Sequence, residues 1–163
     1  HAASLADLGK RFGIAAENFT RFLEQICNGG NFPTSPSDPN ATSASCIWPV
    51  TNTYTIHRVT PHMHLLGATF VFEVCHLDKT CSDPNTTKTL FVQAYNFDNQ
   101  VGYDVPATTV HPGDYVKVAC SWNVNMRAFL PQTRNLPPRY ITWGDGSSDE
   151  MCLATLATSN GVS

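Results

Sequence analysis

The chain has 163 residues, a length that suits one domain with its own hydrophobic core. Its net charge is −3 and its 10 Lys and Arg residues are scattered, so we expect no nucleic-acid partner. The longest uncharged apolar run, Leu65 to Phe72, is far shorter than the ~20 residues that cross a bilayer, so we expect no membrane span.

Apolar side chains recur at three- and four-residue steps through the first 27 residues, the spacing that is typical of a helix face. We expect Gly13 to divide this stretch into two short helices. Residues 28–46 hold prolines and glycines among many Ser, Thr and Asn residues, which predicts a linker or surface loop. The domain boundaries that follow are 1–46 for the helical segment and linker, and 47–163 for the main domain.

From Ile47 onward the apolar pattern has a period of two, which is typical of strands. Short strands alternate with turn signals such as His111-Pro-Gly-Asp114. This organisation predicts an all-β fold, an antiparallel jelly-roll-like β-sandwich preceded by a short helical segment. The segments predicted as strands are Tyr54–Val59, Ala68–Val74, Thr89–Tyr95, Val116–Trp122 and Met151–Leu156.

The cysteines are even in number and form no CxxC pair, which argues against zinc-ribbon, thioredoxin-like and c-haem sites. Disulfides formed in an oxidising compartment account for them better, so we expect a secreted, extracellular or periplasmic protein. The charged fraction of 14% is low for a soluble domain and agrees with this expectation. The six cysteines are Cys27, Cys46, Cys75, Cys81, Cys120 and Cys152.

Three Asn-X-Thr sequons begin at Asn18, Asn40 and Asn85. Each permits an N-glycan if the source is eukaryotic. Such triplets also arise by chance in a chain rich in Asn and Thr, so they are predicted glycosylation sites on sequence grounds only.

A candidate metal site begins with His62 and His64, which stand two residues apart. On a strand, side chains at this spacing point to the same face, where two imidazoles can grip one metal ion. The His-X-His pattern also occurs by chance and is not specific by itself.

A second segment, Trp143-Gly-x(4)-Asp-Glu-Met151, makes the pattern more specific. Together with His62-x-His-Leu-x-Gly67, it resembles the C-terminal domain of the copper type II, ascorbate-dependent monooxygenases. That family includes peptidylglycine α-hydroxylating monooxygenase, dopamine β-monooxygenase and bacterial relatives. The resemblance covers roughly residues 50–157 and takes in Phe97-Asp-Asn-Gln100.

The resemblance implies one mononuclear copper site with His62, His64 and Met151 as ligands. A soft thioether favours Cu(I), whereas imidazole binds both copper oxidation states. Three protein ligands would leave a position for dioxygen, which would hydroxylate an unknown small substrate. Taken alone, Met151 would be interpreted as an ordinary core residue.

The resemblance also implies a disulfide between Cys120 and Cys152, beside the ligand methionine. The other cysteines most simply pair locally, Cys75 with Cys81 and Cys27 with Cys46. Sequence alone leaves the other pairings open.

The chain departs from the family in its other histidines. The two-domain enzymes hold a second copper with three histidines of a preceding domain, whereas this chain has only His1, His57, His76 and His111, with no clustered set. It is therefore either the C-terminal piece of a longer enzyme or a single-copper protein. A histidine brace at His1 is a further alternative, although the other motifs of polysaccharide monooxygenases are not evident.

Two more departures concern the substrate. The Arg and Tyr that position a peptide substrate in the peptidylglycine branch are replaced by Thr60 and Thr155, so peptide amidation is not expected.

Asp149 and Glu150 would face opposite ways on a strand, so we expect no paired acid–base role. Two functions stay open. One is a copper monooxygenase domain that needs a partner domain or electron donor, and the other is a non-catalytic secreted structural or binding module that retains the copper site, with another extracellular protein as its partner.

Overall fold

The computed structural model describes residues 2–27, 42–135, 141, 144 and 146–160. Within these ranges the chain forms two α-helices, one short 3-10 helix (Val124–Ala128) and seven β-strands. The elements are α1 (Ala2–Phe12), α2 (Ile14–Ile26), β1 (Ser43–Pro49), β2 (Tyr54–His62), β3 (Gly67–Cys75), β4 (Thr87–Ala94), β5 (Tyr103–Val110), β6 (Tyr115–Trp122) and β7 (Leu153–Asn160).

The strands form two sheets, one in the order β1-β6-β3-β4 and the other in the order β5-β2-β7. Every pairing within them is antiparallel. The predicted all-β antiparallel sandwich with a helical N-terminal segment is therefore confirmed.

The hydrophobic core lies between the two sheets. Alternate residues of β3, Phe70 and Phe72, are buried and pack in one cluster with Ile56 and Val59 of β2. Alternation puts them on one face because successive strand residues point to opposite sides. Burying each of these side chains stabilises the fold by about 1.5–3 kcal/mol. The core thereby holds in place the strands whose ends carry the candidate site.

All five predicted strands are present, but two edge strands, β1 and β5, were not predicted. β1 begins at Ser43 and pairs along its length with β6, so the prediction that residues 43–46 belong to a linker is wrong. The sequence of β1 lacks clear alternation, and sheet pairing overrides its weak propensity. β5 contains Pro106, which is tolerated because an edge strand needs fewer ladder hydrogen bonds.

The N-terminal helices are divided at Gly13, as predicted. Gly13 has a φ of +92°, a left-handed conformation that glycine adopts without steric cost. Leu5 and Leu8 on α1 are buried. Neither of these described helices has the length and apolarity needed to cross a membrane.

Three disulfides close the fold, and they join the pairs that sequence analysis named: Cys27–Cys46, Cys75–Cys81 and Cys120–Cys152. The first ties the end of α2 to β1. The third links β6 of one sheet to the residue before β7 of the other. Three disulfides in a domain of this size are typical of extracellular proteins.

Candidate metal site

The two candidate ligand histidines lie where β2 ends. His62 is the last residue of the strand and is half-buried, whereas His64 follows it and is 6% exposed. Their ring centroids are 5.2 Å apart and the ring planes are perpendicular. The structure therefore brings together the two imidazoles that the sequence spacing paired.

A glutamine orients the ring of His62. Nδ1 of His62 lies 2.6 Å from Oε1 of Gln100. The amide nitrogen of Gln100, Nε2, donates to the carbonyl of Phe97 at 3.1 Å. Because the amide nitrogen is used as a donor, its oxygen faces the ring and accepts the Nδ1 proton. Nε2 of His62 then keeps its lone pair, which is the form that binds a metal ion.

A backbone carbonyl orients the ring of His64 in the same way. Nδ1 of His64 lies 3.2 Å from the carbonyl oxygen of Asp149, which can only accept, so Nδ1 carries the proton. Burial lowers the pKa of His64 and outweighs the carbonyls of Asp149 and Gly146, which act to raise it. The neutral ring presents its Nε2 lone pair, and the edge of Phe97 packs against it at a centroid distance of 6.4 Å.

Glu150 fastens the methionine segment to the histidine loop. Its Oε2 accepts from the backbone N–H of His64 at 3.0 Å and from Nε1 of Trp122 at 2.7 Å. Its Oε1 accepts from the backbone N–H of Leu66 at 2.7 Å. Burial raises the pKa of Glu150 to about 7, while the three N–H donors favour the ionised form.

Met151 follows Glu150 directly and is half-buried against the core. Two residues later, Leu153 pairs with His62 in the β2–β7 ladder. Cys152, between them, is bonded to Cys120 of β6. The disulfide, the ladder and Glu150 thus hold the backbone of Met151 at the same end of the sandwich as the two histidines.

The side chain of Asp149 makes a contact that the sequence did not reveal. Its carboxylate is 1% exposed and accepts two hydrogen bonds from Arg11 of α1, at 2.9 and 2.7 Å. Two glycines of the motif make room for it. A Cβ at Gly144 would lie 2.7 Å from the Asp149 side chain, and one at Gly146 would lie 2.9 Å from its Oδ2.

Close packing also explains why a glycine stands at position 67, shortly after the two histidines. A Cβ on Gly67 would lie 2.6 Å from the ring of Tyr95 and 2.9 Å from Cβ of Met63. The hydroxyl of Tyr95 donates to the carbonyl of Met63 at 2.7 Å and accepts from its N–H at 3.0 Å. Close packing at Gly67 therefore lets Tyr95 brace the residue between the two histidines.

The remaining histidines of the described region lie in separate contacts. His57 bonds to Ser159, His76 to Asp114 and His111 to Thr53. His1 lies outside the described residues.

The structure also describes most of the other positions that sequence analysis named. Thr60 and Thr155 face each other in the β2–β7 ladder. Of the predicted glycosylation sites, Asn18 and Asn85 are exposed and Asn40 lies outside the described residues.

The donor set fits a soft metal ion. Imidazole nitrogens and a thioether on an adjoining segment are donors that suit Cu(I). Among the residues described, no group of three or more His, Cys, Asp or Glu side chains is placed to hold a metal ion. A set of two histidines and one methionine contains only two such side chains.

Sequence reasoning missed three residues of this region: Gln100 as an individual contact, Glu150 and Arg11. Gln100 stands in the Phe97-Asp-Asn-Gln100 segment, which was a usable signal. Glu150 stands in the Asp-Glu-Met151 part of the motif, but the sequence did not indicate the contacts of its side chain or those of Arg11, because charged side chains are usually exposed.

Comparison of the sequence with protein-family models and with curated proteins finds no match.

Proposed function

We propose that this chain is a copper-binding domain in which Nε2 of His62, Nε2 of His64 and the thioether of Met151 hold one copper ion. We further propose that it acts like the C-terminal domain of a copper type II, ascorbate-dependent monooxygenase. In that role it would contribute to hydroxylation of a substrate C–H bond by dioxygen, with electrons from a partner domain or another donor.

One observation carries the proposal. The Nδ1 atoms of His62 and His64 are each occupied by an acceptor, at 2.6 and 3.2 Å, so each ring offers its Nε2 lone pair. In metal sites, the distal nitrogen of the ligand imidazole is regularly held by an oxygen.

The chain's own residues would supply binding and orientation. Gln100 and the carbonyl of Asp149 would hold the rings in the metal-binding tautomer, and burial, which lowers the pKa of His64, favours its neutral form. The ring of Phe97 packs against His64 in a T-shaped contact. Copper held there would supply one-electron chemistry and an open position for dioxygen.

The three disulfides support a secreted or extracellular location, where copper is held by imidazole and thioether groups without competition from cysteine thiols. All six cysteines are paired, so none is left as a thiolate ligand. The exposure of Asn18 and Asn85 is compatible with N-glycans.

A second function, a non-catalytic extracellular module that keeps the copper site, is favoured by the distribution of the other histidines. His57, His76 and His111 bond to three different partners on separate segments. Among described residues they form no second copper site like that of the two-domain enzymes. Such a module would bind another extracellular protein.

The test is metal analysis of protein purified without added metal and then titrated with Cu(I) against a chelator. The proposal expects one copper per chain, with a loss of affinity of at least tenfold in His62→Ala and His64→Ala. His57→Ala, an exposed histidine on the same strand, is the matched control and should bind like the wild type. No stoichiometric copper would contradict the proposal. Incubation with ascorbate, dioxygen and candidate substrates then separates the catalytic from the non-catalytic function.

A further inference from the structure

We infer that Arg11, on the N-terminal helix α1, is a positioning residue for the copper ligand His64, acting through Asp149. The inference rests on the proposed copper site. It assigns a role to a helical segment that lies outside the part of the chain that carries the family resemblance.

The contact between Arg11 and Asp149 is bidentate. Nη1 donates to Oδ2 at 2.9 Å and Nη2 donates to Oδ1 at 2.7 Å, across 138 residues of sequence. Two parallel charge-assisted bonds fix the orientation of a carboxylate as well as its position. A lysine, with a single ammonium group, cannot reproduce this geometry.

The carboxylate of Asp149 is 1% exposed, so it needs this compensation. A buried carboxylate that loses its cationic partner is strongly destabilised and moves toward water. The side chain of Asp149 lies close to Gly144 and Gly146, and its backbone N–H donates to the carbonyl of Gly146 at 2.8 Å. We therefore expect a displaced side chain to shift the backbone of this turn as well.

The backbone of Asp149 is the part that contacts the metal site. Its carbonyl oxygen accepts the Nδ1 proton of His64 at 3.2 Å. If that carbonyl moves away, the imidazole can transfer its proton to Nε2, and a protonated Nε2 has no lone pair for a metal ion. Arg11 therefore helps to select the metal-binding tautomer of His64.

Other residues of α1 bear on the design of the test. Leu5 and Leu8 are buried, at 1% and 0% exposure. Arg11 also bonds to Asp7, one turn earlier, at 2.9 Å. Asp7 thus offers a variant that alters the surroundings of Arg11 without removing its bonds to Asp149.

The experiment compares Arg11→Ala, Arg11→Lys and Asp7→Ala, with Arg21→Ala as matched control. Arg21 lies on α2 and pairs with Glu17 at 2.7 Å. The first readout is the ¹⁵N NMR signature of the His64 ring in metal-free protein, which distinguishes the Nδ1–H from the Nε2–H tautomer. The second is the dissociation constant for Cu(I).

We expect Arg11→Ala to shift the His64 ring away from the Nδ1–H form and to weaken Cu(I) binding about tenfold, the lower end for loss of a group that orients a metal ligand. Arg11→Lys should give a smaller change, and Asp7→Ala and Arg21→Ala should match the wild type. If Arg11→Ala fails to fold, Arg11→Lys decides the question.

A wild-type NMR signature in Arg11→Ala, or in Arg11→Lys when it alone folds, would overturn the inference even if copper binds. If the wild-type protein binds no Cu(I), the proposed function fails. The NMR readout still decides whether Arg11 sets the tautomer of His64, so the two failures are distinguishable.

Discussion

The indole Nε1–H of Trp122 donates to Oε2 of Glu150 at 2.7 Å, joining the end of β6 to the segment that carries Met151. The same carboxylate accepts the backbone N–H groups of His64 and Leu66. One buried side chain therefore connects the two segments of the candidate metal site to the core. The first prediction follows from it.

Glu150→Ala should destabilise the fold strongly. It leaves three buried N–H donors without their acceptor, and each such loss costs about 1–3 kcal/mol. We expect a decrease of more than ~3 kcal/mol in the free energy of unfolding, measured by urea denaturation. Asp104→Ala is the control, because the Asp104 side chain is 84% exposed and pairs with Arg58 at 3.0 Å, and exposed pairs contribute up to about 1 kcal/mol. Equal losses in the two variants would contradict this role of Glu150.

The disulfide between Cys120 and Cys152 should contribute about 3–4 kcal/mol, because it closes a long loop in the unfolded chain. The two cysteines are 32 residues apart and connect the two sheets. We expect a double replacement by alanine to lower the unfolding free energy by that amount. The bond between Cys75 and Cys81 spans only 6 residues, so its removal should cost less. The reverse order would show that the loop model does not describe this protein.

Gln100→Ala should weaken copper binding without unfolding the protein. Gln100 is exposed and holds Nδ1 of His62 through Oε1 at 2.6 Å, and loss of such a group costs about 10–100-fold in metal affinity. Gln93→Ala, an exposed glutamine on β4, is the matched control and should bind copper like the wild type. Equal Cu(I) affinities in a chelator competition would remove Gln100 from the site.

Asp114 should make stability depend on pH in the acid range. Burial acts to raise its pKa, but hydrogen bonds from the backbone of His111 and from His76 outweigh burial and leave the pKa below its ordinary value. The ionised group therefore stabilises the fold above the unfolded-state pKa of about 3.9, and this contribution is lost as pH falls through the lower folded pKa.

The corresponding measurement is urea unfolding of the wild type and Asp114→Asn between pH 7 and pH 2. The difference in unfolding free energy should be largest above about pH 4 and should shrink below it. Asp104→Asn, at an 84% exposed side chain, should change stability by less than ~0.5 kcal/mol. A difference for Asp114→Asn that does not vary with pH would contradict the prediction.

The sequence predicted those parts of the fold that follow a local pattern. Alternating apolar residues in Ala68–Val74 predicted β3, and Gly13 predicted the division between the helices. β1 was not predicted, because the apolar residues of Ser43–Pro49 do not alternate with polar ones. The segment forms a strand through its pairing with β6. Pairing partners are set by the whole fold, and local propensity does not contain them.

The candidate site shows the same division. The spacing of His62 and His64 predicted that the rings would meet, but the expectation that both lie on a strand is wrong, because β2 ends at His62 and His64 lies just beyond it. The hydrogen bonds of Glu150 could not be predicted, although the residue stands in the Asp-Glu-Met151 motif. A glutamate is normally exposed, and only tertiary packing buries this one against three N–H donors. The hydrogen bonds from Arg11 to Asp149 join distant parts of the chain, so no local sequence pattern could predict them.

X-ray absorption at the copper edge of the Cu(I)-loaded protein tests the central claim most directly. The account predicts two imidazole nitrogens and one sulfur around the metal. Because all six cysteines are in disulfides, that sulfur must be a methionine thioether. The sulfur signal should vanish in Met151→Leu and persist in Met126→Leu, a variant at an exposed methionine on the short 3-10 helix. A copper shell without sulfur in the wild type, or one that keeps sulfur in Met151→Leu, would contradict the account.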